Sequence, residues 1–353
     1  MIKRKKTRII DVGGIKIGGG NPVVIQSMTK TDTRDIDSTV RQIKELSSIG
    51  CEIVRLAVPD SVAAGTLSEI RKLSPIPIIA DIHFDWRLAL IAIKNGVDGL
   101  RINPGNIGAR WKVAEVVSAC KDKGIPMRIG VNAGSLSKKI LSKYHHPSPE
   151  ALVESAEEHI DILEGMNFRD IKVSLKASNV MTTVEAYRLF SKRHRYPVHV
   201  GISEAGPFFT GIIKSSIGIG VLLEEGIGDT IRVSLSTDPV EEVRVAYEIL
   251  KSLGLRQRGI NLISCPTCGR CNIDIKGIAS KAEEALKDVD KPLTVAIMGC
   301  AVNGPGEARE ADIGIAGGKG FGILFKKGKV VKKVREEDML ETLMSAVRDE
   351  VSQ

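Results

Sequence analysis

Between Val23 and about Gly254, short apolar segments alternate with longer stretches whose apolar residues recur at helical spacing. The short segments are VVIQSM, EIVRLAV, PIIADIH, GLRIN, MRIGVN, IKVSLK, VHVGIS and TIRVSL, eight in all. Each precedes a helix pattern with recognisable ends. Asp37-Ser38 is expected to open a helix through Val40, Ile43 and Leu46 that stops at Gly50. Ser148 followed by Pro149, and Asp238 followed by Pro239, read as N-caps with proline at the first helical position. Eight β–α repeats in this span predict a TIM barrel, with residues 1–255 as the barrel domain and residues 256–353 as a smaller second domain.

The strands carry a second pattern. One parity is apolar: Val54 and Leu56, Leu100 and Ile102, Ile129 and Val131, Val173 and Leu175, Ile231 and Val233. The other holds Arg55, Asp81, His83, Arg101, Asn103, Arg128, Asn132, Lys172, Ser174, Lys176, His199, Ser203, Arg232, Ser234 and Ser236. Strand side chains alternate between faces, so the apolar set should meet the helices and the polar set the barrel interior. A barrel interior is ordinarily filled by branched apolar side chains. Several buried cations cannot stand unpaired there, and Asp81 with nearby Glu204 are too few to neutralise them. A polyanionic ligand balances the charge, and arginine suits bidentate phosphate recognition. Glu204, in GISEAG after the seventh strand, reads either as an ion-pair partner of Lys176 or Arg232 or as a proton donor at the same mouth.

Composition narrows the picture. The 353 residues carry a net charge of +8, with lysine-rich runs near both ends, but only 4% are aromatic, so a base-stacking surface lacks material and no nucleic-acid partner is expected. No run of about 18 apolar residues exists, so no membrane span is expected. MIKRKKTRII is basic without a following apolar segment, so no secretory signal is expected either. A cytoplasmic location follows, where clustered cysteines bind metal more often than each other.

Cys51, just past Gly50, and Cys120, in WKVAEVVSACKDKG, read as small buried hydrophobes. CPTCGRC (Cys265, Cys268 and Cys271) and the distant Cys300 differ from these. The spacing fits neither the paired CxxC motifs of a zinc ribbon nor a bacterial ferredoxin run, and by itself leaves iron–sulfur and zinc both open. After Cys300 the segment AVNGPGEAREADIGIAGG is rich in glycine, able to wrap closely around an inorganic group, and Glu307 lies near enough in sequence to supply an oxygen ligand.

Taken together, CPTCGR, GCAVNGPGEAREADIGIAGG, INPGNIG, RIGVNAGSL, SLKAS and SEAGP resemble the 4-hydroxy-3-methylbut-2-enyl diphosphate synthase family, in its two-domain bacterial form. The resemblance spans essentially the whole chain. It implies a TIM barrel similar to that of dihydropteroate synthase, joined to a smaller α+β domain similar to one in sulfite reductases. It implies a 4Fe–4S cluster on three cysteines and a glutamate, which fall here on Cys265, Cys268, Cys300 and Glu307. Cys271 departs from the family motif; Glu307 is preferred over it as fourth ligand, because an oxygen is a weaker iron ligand that substrate can displace. The implied substrate is 2-C-methyl-D-erythritol 2,4-cyclodiphosphate, opened by a two-electron reduction with loss of water on the non-mevalonate route to isoprenoids. Arg55, Arg101, Arg128, Lys176 and Arg232 would hold the diphosphate, with Asn103, Asn132, Ser234 and Ser236 adding hydrogen bonds. His83 and His199 would approach the phosphates or hydroxyls, and Glu204 would donate a proton. Reduced flavodoxin or ferredoxin is the implied electron donor. A head-to-tail homodimer, in which one chain's cluster domain serves its partner's barrel, is the implied assembly.

Overall fold

The computed structural model describes residues 2–271, 273–300 and 304–352. The chain divides into two compact units, Met1–Arg256 and Gln257–Gln353.

In the first unit a two-stranded antiparallel hairpin, β1 (Ile10–Val12) and β2 (Ile15–Ile17), precedes the barrel. The barrel strands are β3 (Val24–Met28), β4 (Ile53–Ala57), β5 (Ile78–Asp81), β6 (Gly99–Ile102), β7 (Met127–Asn132), β8 (Ile171–Lys176), β9 (His199–Val200) and β10 (Thr230–Ile231). All run parallel in the order β8-β7-β6-β5-β4-β3-β10-β9, and a bridge between Val173 and Val198 closes the ring. The apolar strand parity packs outward with the helices in one continuous core that includes Leu56, Ile102, Val131, Leu175 and Val233. Buried Cys51 and Cys120 belong to that core.

Local chemistry sets the helix ends. Ser148 caps the helix Pro149–Glu164 by accepting from the Ala151 amide, and Asp238 caps Pro239–Ser252 through the Val240 amide. The first barrel helix begins earlier than the sequence predicted. It spans Ile36–Ser48, and Asp35 is the cap, accepting from the Ser38 amide at 3.1 Å, so Asp37 is free to sit in the first turn beside the positive end of the helix dipole. The seventh and eighth strands are shorter than their apolar segments suggested. Past Val200, inward-facing Gly201 lies against the Arg232 carbonyl and the Lys176 ammonium; a Cβ there would come within 2.3 and 2.7 Å of them. Hydrogen bonding nonetheless continues outside the regular ladder, from the Arg232 amide to the Val200 carbonyl at 2.9 Å.

The hairpin was not anticipated. Its signal was present in IDVGGIKI, two alternating runs around a Gly-Gly turn. Gly13 and Gly14 both take positive φ there. Ile10, Val12 and Ile17 form a separate apolar cluster with Val24, Ile53 and Ile79, the inward residues at the amino-terminal ends of β3, β4 and β5. The hairpin thus plugs the bottom of the barrel.

The second unit is a five-stranded mixed sheet, β11 (Ile260–Ser264), β12 (Leu293–Met298), β13 (Ile313–Gly318), β14 (Phe321–Lys326) and β15 (Lys329–Arg335), in that order. β11, β12 and β13 are parallel, and β14 and β15 continue antiparallel. The helices Ile275–Leu286 and Met339–Val351 bury Ala282, Leu286, Leu343 and Val347 against Val295, Ile297, Ile313 and Ile315.

Candidate active site

The barrel register advances by a steady stagger, so inward side chains at one height come from alternate strands. Ile53, Gly99, Lys172 and Thr230 form the lowest polar-containing layer, and Gln26, Ile79, Arg128 and His199 the next. Above them lie Arg55, Arg101, Ser174 and Arg232, then Met28, Asp81, Gly130 and Gly201. Asn103, Lys176 and Ser234 stand towards the carboxyl ends, with His83, Asn132, Glu204 and Ser236 at the rim. The polar parity read from the sequence therefore does line the interior.

Asp81 is the hub of the middle layers. Its carboxylate pairs with Arg55 Nε at 3.4 Å and with Arg101 Nη1 at 3.2 Å. Burial pushes its carboxyl up, but Arg55, Arg101 and Arg128 more than reverse this, leaving it below the ordinary carboxylate range. Arg101 also donates to the Gly130 carbonyl at 3.0 Å and meets His83 Nδ1 at 2.9 Å. Burial holds His83 below its ordinary value, so its neutral ring is suited to accept from the guanidinium. Gly130 makes the crowding feasible: a Cβ would lie 2.5 Å from Arg101 Nε. Asn103 is fixed by a reciprocal pair with Gly130, donating from Nδ2 at 3.0 Å and accepting at Oδ1 at 2.9 Å.

Arg128 donates to Ser174 Oγ at 3.2 Å and has no carboxylate partner among the described residues. Desolvation first, then neighbouring guanidiniums, disfavour the charged forms of Arg128 and Lys176, and Arg55 falls to about 10. A dianionic ligand among them would relieve that penalty. His199 sits lower than expected: it is fully buried with Nδ1 2.8 Å from Thr230 Oγ1, below the arginine layer rather than at the mouth.

Two contributors escaped the sequence reading. Buried Glu242, on the helix after β10, accepts from the Leu235 amide at 3.0 Å, pairs with Lys30 at 3.3 Å and approaches Arg232 at 3.9 Å. Lys30, in the loop after β3, also donates to the Leu235 and Thr237 carbonyls. Glu242 looked like an ordinary first-turn acid, and no local pattern shows that it turns inward. Glu204 is exposed and has φ +53°, a left-handed backbone rarely taken by non-glycine residues and concentrated at functional sites.

In the second unit, the parallel register carries β11 and β12 side by side into Cys265 and Cys300: Ser264 pairs with Ile297, and the Cys265 amide donates to the Ile297 carbonyl at 3.2 Å. Cys268 is exposed; Thr267 before it has φ +63°. Glu307 lies exposed on the helix Gly304–Glu310, which packs on β12 and β13. Ala301, Val302 and Asn303 of the glycine-rich motif lie outside the described residues. Among the described residues no three His, Cys, Asp or Glu side chains are gathered closely enough to hold a metal ion, and no disulfide joins the cysteines. The donor set nevertheless suits an iron–sulfur group: soft sulfurs at two neighbouring strand ends, a third on the intervening loop, and one carboxylate. Cys271 is engaged differently. Its thiol donates to the Ile273 carbonyl at 3.2 Å and lies over Gly299, where a Cβ would come within 2.5 Å of the sulfur.

Residues 7–247 match the GcpE TIM-barrel domain, and residues 261–349 match the GcpE protein C-terminal domain. The chain belongs to the GcpE family. It is 64% identical over 348 residues to the 4-hydroxy-3-methylbut-2-en-1-yl diphosphate synthase (flavodoxin) of Thermodesulfovibrio yellowstonii, covering 99% of this chain and 100% of that one. The protein of the same name from Geobacter sulfurreducens is 59% identical, covering 98% of each. Among solved structures, dihydropteroate synthase from Stenotrophomonas maltophilia aligns with a TM-score of 0.52 and 10% identity, over 70% of this chain and 97% of that one. At that identity the likeness concerns the barrel fold alone. Among the described residues no helix is long and apolar enough to cross a membrane.

Proposed function

We infer that the chain catalyses the reductive ring opening and dehydration of 2-C-methyl-D-erythritol 2,4-cyclodiphosphate to 4-hydroxy-3-methylbut-2-enyl diphosphate. It is an iron–sulfur oxidoreductase of the non-mevalonate isoprenoid route, as its GcpE relatives are named for the same product. The observation that carries the reading is the interior of the barrel. Arg55, Arg101, Arg128, Lys176 and Arg232 belong to the barrel interior, where Asp81, with Glu242 at its edge, is far too little negative charge.

In this reading the diphosphate occupies the arginine layers and is gripped by charge-assisted hydrogen bonds, with Asn103, Asn132, Ser234 and Ser236 completing its shell. Asp81 keeps Arg55 and Arg101 aimed, and Glu242 does the same for Arg232. His83, held by Arg101, faces the substrate hydroxyls; His199 supports the site from below. Glu204 stands at the rim and passes a proton to the departing oxygen, so that it leaves as water. Cys265, Cys268, Cys300 and Glu307 hold a 4Fe–4S cluster. When bound, that cluster supplies the two electrons singly; the reduced donor is a flavodoxin, as the relatives' names indicate, or a ferredoxin.

A homodimer is part of the proposal. The helix Phe208–Glu224 leaves Phe209, Ile213 and Ile217 exposed at 77%, 44% and 50%, a row at i, i+4 and i+8 on which a second copy can pack. The test of the reading is anaerobic. Purified protein should contain about four irons and four sulfides per chain and convert the cyclic diphosphate when supplied with reduced flavodoxin. Cys265→Ser, Cys268→Ser and Cys300→Ser should each lose iron and turnover, while Cys271→Ser keeps both. Colourless zinc protein would overturn the redox reading. Iron loss in Cys271→Ser equal to the others would overturn only the ligand choice.

A further inference from the structure

Below the arginine layer, Gln26, Arg128, Lys172 and His199 face one another across the barrel. They are exposed by only 1%, 3%, 1% and 0%. Among the described residues, both amide atoms of Gln26, Arg128 Nε, Lys172 Nζ and His199 Nε2 have no hydrogen-bond partner. At this depth a TIM barrel ordinarily packs branched apolar side chains. Buried donors left unsatisfied are strongly destabilising, so these two adjoining layers are built around something polar. From beneath, the apolar plug of Ile10, Val12, Ile17, Val24, Ile53 and Ile79 seals them.

Charge decides what that something is. The groups bearing on Lys172 are the guanidiniums of Arg128 on β7 and Arg55 on β4, and the carboxylate of Asp229 before β10. The His199 ring on β9 is in turn faced by Lys176 and Lys172 on β8, Arg128 on β7 and Arg55 on β4. Asp229 is already engaged, by Arg4 Nη2 at 3.0 Å, Thr7 Oγ1 at 3.0 Å and the Val198 amide at 2.9 Å. Asp81, two layers above Arg128 and His199, is shared between Arg55 and Arg101. Water would satisfy the donors but leave Lys172 and Arg128 without countercharge. An anion does both.

We propose that the centre of the barrel, beneath the diphosphate layer, binds a small inorganic monoanion of the chloride type. Its ligands are the Lys172 ammonium, Arg128 Nε–H, the Gln26 amide N–H and His199 Nε2–H. The Thr230 hydroxyl, 2.8 Å from His199 Nδ1, can donate there and leave the ring proton on Nε2, facing the centre. Without an anion, burial first and Arg128 next push the Lys172 ammonium down to about 7; a bound anion opposes that shift. The site does not depend on the catalytic reading, and neither does its test.

Bromide is the probe, on the full chain with its cluster. Crystals grown without halide and soaked in bromide should show an anomalous peak within hydrogen-bonding distance of Lys172 Nζ, absent in Lys172→Met. In solution, exchanging isethionate for bromide at constant ionic strength should raise the wild-type unfolding temperature saturably, and Lys172→Met should not respond. If Lys172→Met does not fold, Gln26→Met serves instead: it keeps the charges and should raise the half-saturating bromide concentration several-fold. Ordered water at the centre with no anomalous signal would overturn the proposal, leaving Lys172 neutral. So would a halide response that the variants share unchanged, or a bromide peak without saturable stabilisation, which would mark an adventitious ion only.

Discussion

Asp81 shows how much one residue can carry. It neutralises the buried guanidinium of Arg101 and the largely buried one of Arg55, so Asp81→Asn leaves both uncompensated. Breaking a buried pair in this way costs about 3–5 kcal/mol, and urea unfolding should show a loss of that size. The pH dependence has a definite sign. Because the folded carboxyl lies below its ordinary value, its stabilisation is complete above the unfolded-state pKa of about 4 and is lost as pH falls through the lower folded value. That acid limb should shrink in Asp81→Asn; an unchanged stability profile would deny Asp81 its role. Glu204 is the opposite kind of residue, exposed and held in a left-handed backbone. Glu204→Gln keeps shape and hydrogen-bonding reach but cannot give up a carboxylic proton, so kcat should fall much more than KM rises. Near-normal turnover would return Glu204 to the ion-pair reading. Both residues were visible in the sequence as acids among bases. Glu242 was not, because its inward turn depends on the packing of a helix that looks ordinary from its residues alone.

At the scale of elements, strand alternation is what made the site readable. Period-two patterning is local, so the inward set of β4, β6, β7 and β8 could be named residue by residue. Depth could not be read in the same way. Whether Arg128 and His199 lie at the mouth or lower depends on the stagger accumulated around the ring, which no single strand contains. The two short strands β9 and β10 likewise reflect crowding at Gly201 by residues from neighbouring strands. Arg55→Ala, Arg128→Ala and Lys176→Ala should each raise KM, by an amount set by the loss of about 1.5–3 kcal/mol per charge-assisted contact. Iron content should stay the same, since these residues belong to the first unit. Steady-state kinetics beside metal analysis separates the two effects, and unaltered KM in all three variants would remove the interior cations from substrate capture.

For the whole molecule, the proposed division of labour is that one chain's barrel works with its partner's cluster. Complementation tests it: inactive Cys300→Ser chains are mixed with Arg128→Ala chains, assayed at substrate far below the raised KM where the latter turn over little, and the two are allowed to exchange subunits. Mixed dimers contain one intact barrel and one intact cluster site on different chains, and part of the activity should return. No recovery despite demonstrated exchange would mean that each chain serves itself. The exposed row Phe209, Ile213 and Ile217 adds a second check, because Ile213→Glu should shift the protein towards monomer in sedimentation.

The sequence by itself determined the barrel, the inward polar parity and the family, and named the cysteines proposed as cluster donors, because each is written in local order: alternation along strands, caps at helix ends, and motifs of a few contiguous residues. The hairpin plug was equally local and was simply not seen, although Gly13-Gly14 marks it. Tertiary structure alone decided the rest. It set the height of each inward side chain, the sharing of Asp81 between two arginines, the reach of Glu242 and Lys30 into the site, and the gathering of buried polar atoms on Gln26, Arg128, Lys172 and His199 that lack a partner among the described residues. Those are relations between residues that lie tens to hundreds of positions apart. Closure of the sheet and the stagger of its strands bring them together, and neither is encoded in any one segment.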